Sequence, residues 1–350
     1  MKIAIDCRMI NMSGIGSYLR GILEHIITIE TNQYVLLGHK QELEKYKKYN
    51  NCVIEHVDIP IFSFKELFHF PAYIINSCDC FYTPNYNIPL GIKIPIYSTI
   101  HDVVFLDIPN LTSFMGRLVR YVYLKRSYVI SKRVFTVSQY SKNRILSHLG
   151  KDSSKVIVTY NGVSESFLEY ESKAQNGDYF LFVGNIKAHK GIKTLLSAFN
   201  KLRESDSNVR LMIVGDYQNF QTTDEDVQQL IDTRLNKNDL IFTGKVDDLT
   251  LKKIMSEAKA LIQPSLYEGF GIPPLESMYL GTPVILSDIP VFKELYSGFP
   301  VTFFHVNNSN DLCDKMQMAK GDRVYLSAQQ KMKYSYQNSA NLIIQSLISK

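Results

Sequence analysis

Two glutamates frame the chemistry this sequence can perform. Glu268 and Glu276 lie eight positions apart in PSLYEGFGIPPLESMYLGTPVILSDIP (residues 264–290), with Gly269, Gly271, Pro273 and Pro274 between them. A carboxylate accepts two hydrogen bonds at once, which matches the neighbouring hydroxyls of a sugar. Proline suits the first turn of a helix, so the spacing predicts a helix through LESMYL that stops at Gly281. Glu276 then falls in the first turn and Glu268 in the loop ahead of it. The glycines let backbone approach a ligand closely, and a helix N-terminus adds free N–H groups suited to phosphate. Two carboxylates around a phosphate-binding turn describe a sugar-nucleotide site. On spacing alone the alternative stands equally: Glu276 complements the helix dipole, and Glu268 is a solvated loop residue.

Other chemistry-bearing residues are dispersed. FVGNIKAHKG (182–191) offers Lys187, His189 and Lys190, with Asn185 at its start. Breaking a sugar–phosphate bond leaves negative charge on the departing diphosphate, which positioned cations stabilise. His101 and Asp102 follow the apolar IPIYSTI; a histidine there is either structural or a site residue, and Asp102 either orients it or caps the next segment. Gly14 and Gly16 follow the first strand, but GIGS lacks the third glycine of a dinucleotide fingerprint, which disfavours a nicotinamide dehydrogenase. DED at 224–226 superficially resembles a metal-binding D-x-D pair and reads better as a solvated cap. The five cysteines are scattered, with no second cluster beside Cys78 and Cys80, and read as buried free thiols. No metal and no cofactor beyond the donor substrate are expected.

The elements that must position these groups alternate along the chain. Strand-like KIAID (2–6), YVLLG (34–38), IPIYSTIHD (94–102), RVFTVS (133–138) and KVIVTYNGV (155–163) are separated by helical patterns such as 16–29 and QYSKNRILSHLG. The rhythm restarts with DYFLFVGN, a helix from IKTLLSAFNKLRES, VRLMIVGD, a helix around DVQQLIDTRL, LIFTGKV, LTLKKIMSEAK and ALIQPS. Such alternation indicates an α/β fold of two doubly wound parallel-sheet domains, meeting near SKAQNGD (172–178). Ligands of such sheets bind at the carboxyl ends of strands. The candidate residues fall there.

The 350 residues allow two domains, and no apolar run reaches the length that spans a bilayer. The chain starts directly as a strand, so the cytoplasm is the expected compartment. Net charge is +5, with 19 Lys and Arg against 13 Asp and Glu in residues 1–165. Much of the excess lies in GRLVRYVYLKRSYVISKR (116–133), read as a solvated helix face or as a contact for an anionic membrane surface. No nucleic-acid partner is expected. In IFSFKELFHFPAY (61–73), Phe64, Leu67, Phe68 and Pro71 fit a helical stripe whose expected role is core packing, the alternative being a lipid-facing groove.

The 264–290 stretch resembles the E-x7-E region of glycosyltransferase family 4. GIGSYLRGIL (14–23), HDVVFLDIP (101–109), VSQYSK (137–142), YNGV (160–163), FVGNIKAHKG (182–191), IVGD (213–216) and FTGKV (242–246) are similar to further family landmarks, in matching order along nearly the whole chain. The resemblance implies the GT-B architecture, two facing Rossmann-like domains with a cleft between them. It implies an acceptor domain over 1–170, a donor domain over 171–325, and a C-terminal helix in 326–350 that crosses back to the first domain. Glu268 would hold sugar hydroxyls with the backbone of Gly269, Phe270 and Gly271; Glu276 would hold the ribose; Leu275 and its neighbours would offer N–H groups to phosphate. Lys190 takes the lysine position of the family's Arg…Lys pair, Asn185 stands where many members carry arginine, and Lys187 or His189 would share the charge. Gly16 would approach the diphosphate, His101 would touch the donor sugar, and the backbone from Gly244 to Val246 would read the base. The implied activity is metal-independent, retaining transfer of a hexose or deoxyhexose from a nucleotide-diphosphate sugar. The acceptor would be a glycan or a polyprenyl-diphosphate-linked oligosaccharide, with the enzyme peripheral at the inner membrane face. Epimerase, hydrolase and non-catalytic sugar-nucleotide sensor are the alternatives.

Overall fold

Short apolar runs without internal proline become the strands, and the central ones are buried on both faces, as parallel sheets under helices require, while the edge strand at Cys52–His56 is largely open. The structure is a computed structural model that describes residues 1–109, 111–170, 177–215 and 239–349. The chain divides into two compact units, Met1–Ser164 with Tyr334–Lys350, and Glu165–Lys333.

In the first unit, strands β1 (Lys2–Asp6), β2 (Gln33–Gly38), β3 (Cys52–His56), β4 (Cys80–Thr83), β5 (Ile96–Thr99), β6 (Arg133–Thr136) and β7 (Val156–Val158) form one sheet. Their order is β3-β2-β1-β4-β5-β6-β7, and every pairing is parallel. Helices of this unit include α1 (Ile15–Ile26), α2 (Phe64–His69) and α3 (Phe114–Ile130). The second unit repeats the plan with β8 (Tyr179–Val183), β9 (Arg210–Val214), β10 (Leu240–Gly244), β11 (Ala260–Gln263), β12 (Val284–Ser287) and β13 (Val301–Phe304), ordered β10-β9-β8-β11-β12-β13. Its helices include α4 (Ile192–Ser205), which packs Leu195 and Phe199 onto Phe180 and Ile262 of the sheet, and α5 (Ile272–Tyr279). The C-terminal helix α6 (Tyr336–Ile348) belongs to the first unit. There Tyr336 meets Tyr18 of α1 edge-on at 6.5 Å, and the Ser339 hydroxyl donates to the Tyr160 carbonyl at 2.6 Å.

The second unit begins at Glu165, ahead of the polar stretch at 172–178, whose first residues lie outside the described ones. The helix expected over DVQQLIDTRL and the DED run at 224–226 also lie outside them. Strands β3 and β4 were not legible by periodicity. β4 is a four-residue run, CFYT, buried throughout. All five cysteines are free thiols, and Cys7, Cys78, Cys80 and Cys313 are buried.

One amphipathic reading reverses. Core packing was expected of the apolar stripe at 61–73, yet Phe64 and Phe68 are 77% and 67% exposed while Glu66 is completely buried. A six-residue helix has little apolar area to bury, and here the ion pair of Glu66 with Arg8 decides which face turns inward. Helix α3, read as a solvated helix face or a membrane contact, is solvated on its outer side, and its cations also donate to backbone carbonyls. Arg117 donates to Leu106 O at 2.5 Å, Lys125 to Leu149 O at 2.6 Å, and Arg126 to Ile88 O and Pro89 O. Phe114, Leu118 and Val122 are left exposed.

Candidate functional site

Reversal of strand order beside β8 sends the loops after β8 and β11 to opposite sides and opens a crevice at the carboxyl ends of the sheet. The first loop, 184–191, ends in a single turn, Ala188–Lys190, closed by Gly191. Gly191 has φ +68°, and a Cβ there would lie 1.9 Å from the Pro264 carbonyl oxygen, so only glycine lets the two loops meet. Contact continues where Leu266 N–H donates to His189 O at 2.8 Å. These backbone contacts deliver Lys190 to Glu268. The Lys190 ammonium donates to both carboxylate oxygens, at 2.7 Å and 2.8 Å.

Two further side chains hold the same carboxylate. Ser265 Oγ donates to Glu268 Oε1 at 2.7 Å, and Gln263 Nε2 does so at 3.2 Å. Oε1 therefore has three protein donors, whereas Oε2 has Lys190 and retains capacity to accept a further hydrogen bond. Gln263 and Ser265 escaped the sequence reading. The available signal was a polar Q-P-S step directly after the buried run ALI. Glu268 is 8% exposed. Burial alone would raise its carboxyl, but the Lys190 ammonium and the hydrogen bonds from Lys190 and Ser265 hold it below the usual carboxylate range. Burial, reinforced by the Lys190 and Lys187 charges, holds the His189 imidazole down at about 4, so it is neutral at pH 7. Its Nδ1 is buried without a hydrogen-bond partner among protein atoms.

Gly271 caps α5 with φ +85°, and its carbonyl accepts from the Tyr296 hydroxyl at 2.6 Å. Phe270 is buried edge-on against Tyr296. The helix starts at Ile272, so Glu276 is its fifth residue and sits in the second turn, partly buried, rather than in the first as the sequence suggested. Pro273 and Pro274 have no N–H, which leaves Gly271 and Ile272 as the backbone donors at this end. The side chain of Leu275 is fully buried, and its N–H is the first that helix geometry takes for an internal bond. The neighbouring strand ends are backbone too. Gly184 N–H donates to Val214 O and Gly215 N–H to Gly244 O, with Gly244 in a left-handed conformation and Val246 partly buried beyond it. Asn185 is partly buried at the start of the β8 loop, and Lys187 is exposed.

In the first unit, His101 follows β5. Its Nε2 lies 3.0 Å from the Pro84 carbonyl oxygen, which can only accept, so Nε2 carries the proton and Nδ1 is an acceptor. Burial holds this imidazole down at about 4 as well. Its ring stands edge-on to Tyr18 at 5.0 Å. Asp102 Oδ1 accepts from Val104 N–H at 3.0 Å, a local contact just ahead of the short helix Val104–Asp107. Gly16 lies inside the first turn of α1, where a Cβ would come within 2.6 Å of the Ile10 carbonyl oxygen, so its size serves packing within the unit.

The structure thus brings Lys190, His189 and Glu268 together in the second unit and sets His101 beside Tyr18 in the first. Among the described residues no group of three or more His, Cys, Asp and Glu side chains could hold a metal ion.

Against known proteins, the profile described as "Glycosyl transferases group 1" matches residues 164–338, and that described as "Glycosyltransferase Family 4" matches residues 40–167. The chain belongs to glycosyltransferase family 4. Its architecture is GT-B. Among relatives of this family-4 chain, the O-antigen chain mannosyltransferase RfbU of Salmonella typhimurium is 37% identical over 200 residues, covering 57% of this chain and 54% of RfbU. The O-antigen chain mannosyltransferase B of Escherichia coli is 25% identical over 229 residues, covering 61% and 58%. The chain spans about half the length of the curated relatives it matches. The solved structure of Anabaena HepE in complex with UDP-glucose superposes with a TM-score of 0.68 at 18% identity, over 99% of this chain and 95% of HepE. TarM superposes with a TM-score of 0.71 at 12% identity, over 99% of each chain. These two likenesses speak to the fold.

Proposed function

We propose that this family-4 protein is a retaining glycosyltransferase that moves a hexosyl group from a nucleotide-diphosphate sugar to a glycan or polyprenyl-diphosphate-linked acceptor during surface polysaccharide assembly. The observation that carries the reading is the Lys190–Glu268 pair in the crevice between β8 and β11, beside the free end of α5. The names of the relatives make mannosyl the first group to test.

In this reading Glu268 Oε2 accepts from a hydroxyl of the transferred sugar, with Gly269, Phe270 and Gly271 alongside, and Glu276 accepts from the ribose. As the bond between the anomeric carbon and the phosphate oxygen breaks, its electron pair stays on the diphosphate. Lys190 and the N–H groups of Gly271 and Ile272 stabilise that charge. The acceptor hydroxyl attacks from the same face and passes its proton to the departing phosphate oxygen, so the anomeric configuration is retained. His101, neutral at pH 7, offers Nδ1 to a sugar hydroxyl and is no general base. Lys187, His189 and Asn185 border the diphosphate, and the Gly244–Val246 backbone meets the base. The charge is met without a metal.

The test is a thermal-shift screen against nucleotide sugars, since a bound donor raises the melting temperature by mass action. Turnover with the best donor and a lipid-linked acceptor follows, with the product anomer read by NMR. Retained configuration, unchanged by a chelator, is expected. An inverted anomer or chelator-dependent activity would remove the corresponding part of the reading. Free sugar released without acceptor would indicate a hydrolase, and binding with no turnover a sensor.

A further inference from the structure

Two glycines of the first unit are cleared for one side chain. Gly21 lies inside α1, where glycine is among the poorest helix formers. A Cβ there would come within 2.3 Å of the Tyr336 ring. At Gly162, in the loop beyond β7, a Cβ would come within 2.5 Å of the Tyr336 backbone nitrogen. Glycine at both positions therefore admits the start of α6, and Tyr336 is buried there. Farther along α6, the bond from the Ser339 hydroxyl to Tyr160 O fixes the helix in this seat.

A second ring shares the seat. Tyr18, three residues before Gly21 on α1, is fully buried and stands edge-on to Tyr336. Its hydroxyl lies 2.9 Å from Thr159 Oγ1, which itself donates to Thr136 O at 3.4 Å, so Tyr18 is the donor of that bond. The phenol is thus held at its tip by the residue after β7 and against its ring by α6. The His101 imidazole packs on this phenol at 5.0 Å with an interplanar angle of 88°. Two restraints then act on His101. Pro84 O selects the nitrogen that carries the proton, and the Tyr18 ring sets the plane of the imidazole.

We propose that Tyr18 and Tyr336 are positioning residues for His101: Tyr336 of α6, in its glycine seat, holds the Tyr18 ring, and Tyr18 fixes the imidazole with Nδ1 available to the donor sugar. The use of Nδ1 rests on the transferase reading, whereas the stacking of the three rings does not. Unseating the last helix would then slow transfer while leaving Lys190 and Glu268 untouched.

The test reads the His101 imidazole directly, by nitrogen NMR of the full chain carrying isotope-labelled histidine, with the signal assigned by His101→Gln. A single tautomer with its proton on Nε2 is expected in the unmodified chain. Tyr336→Leu and Gly21→Ala should each give a mixture of both tautomers and lower kcat for sugar transfer about tenfold. Tyr336→Phe, which keeps the ring, should stay within about twofold of the unmodified rate. Adding Tyr336→Leu to His101→Ala should cost nothing further, because the positioning acts through a ring that is no longer there. A role in folding alone predicts losses that add. Tyr18→Phe removes only the bond to Thr159 and decides the same point where the leucine variant does not fold; mixed tautomers and slower transfer are expected of it. The proposal is overturned if His101 keeps one tautomer in these variants, or if the losses add. Should the unmodified chain transfer no sugar, the proposed function fails, and the His101 tautomer still decides whether the ring stack holds it.

Discussion

The two units place a buried charge cluster at the same point of the same topology, and put it to different use. In each sheet the strand order is 3-2-1-4, and each cluster draws on the loop after the first strand. In the first unit Arg8 donates to Asp6 at 2.7 Å and 2.9 Å, to Ile59 O at 3.1 Å, and to Glu66, which Asn87 and Phe62 N–H also reach. The Arg8 and Asp6 side chains are 2% exposed and that of Glu66 is 0%. All three guanidinium nitrogens and both Glu66 oxygens are engaged, and Arg8 lies over the Phe70 ring. In the second unit Lys190 remains 21% exposed, and Glu268 keeps one oxygen less crowded than the other. A rigid guanidinium fork fills a closed network, whereas a flexible ammonium holds a carboxylate yet can share its charge with a ligand. The first cluster locks α2 in place; the second, in the proposed function, exchanges partners with the donor.

Arg8→Ala should break the comparison most visibly. It leaves two buried carboxylates uncompensated and should cost about 3–5 kcal/mol of stability in urea unfolding. A loss well below 1 kcal/mol would show that the network is not structural. Lys190→Ala and Glu268→Ala should instead lower transfer at least about tenfold, a loss of about 1.4 kcal/mol of transition-state stabilisation. Because Lys190 reaches solvent, their stability cost should be smaller than that of Arg8→Ala; wild-type turnover in either would remove the pair from the site.

Acid provides a third contrast. His101 and His189 have folded values of about 4 against an ordinary 6.5, so in that window the unfolded chain binds protons that the folded one does not. Their contribution to stability is fully present above about 6.5 and is lost as pH falls toward 4. His189→Gln should flatten the decline of unfolding midpoint over this range, and an unchanged slope would show that His189 does not titrate as its burial requires. Glu268, held low by Lys190, contributes stability that disappears only further down, as pH falls through its depressed folded value. The smallest effect belongs to Ser265→Ala. Removing one donor from Oε1 should move the acid limb of the pH–rate profile upward and reduce turnover a few-fold. An unmoved limb would show that Ser265 does not tune the carboxylate.

Much of this architecture was legible as pattern. The IKTLLSAFNKLRES helix, the 2–6 strand and the Gly281 stop all appear where apolar spacing and glycine chemistry place them. Of the two readings the sequence leaves open for Asp102, the Val104 hydrogen bond supports its holding of the segment that follows. Glu276 slipped by one turn because α5 begins at Ile272, and a boundary that close depends on the Gly271 conformation rather than on the prolines. Gln263 and Ser265 were passed over because polar residues at the end of the strand-like run ALIQPS carry no sign of the carboxylate that they meet five and three residues on.

By itself the sequence determined the alternation of strands and helices and the two doubly wound units, and it named the groups that the proposed function assigns to a sugar nucleotide. These follow from local periodicity and residue type. Only the tertiary structure decided that Lys190 spends its charge on Glu268, that Oε1 is saturated while Oε2 is not, and that Glu66 faces inward while Phe64 and Phe68 face out. Those outcomes depend on partners 58 to 78 residues away in the chain, Arg8 for Glu66 and Lys190 for Glu268, and no local pattern encodes which distant charge a buried carboxylate will meet.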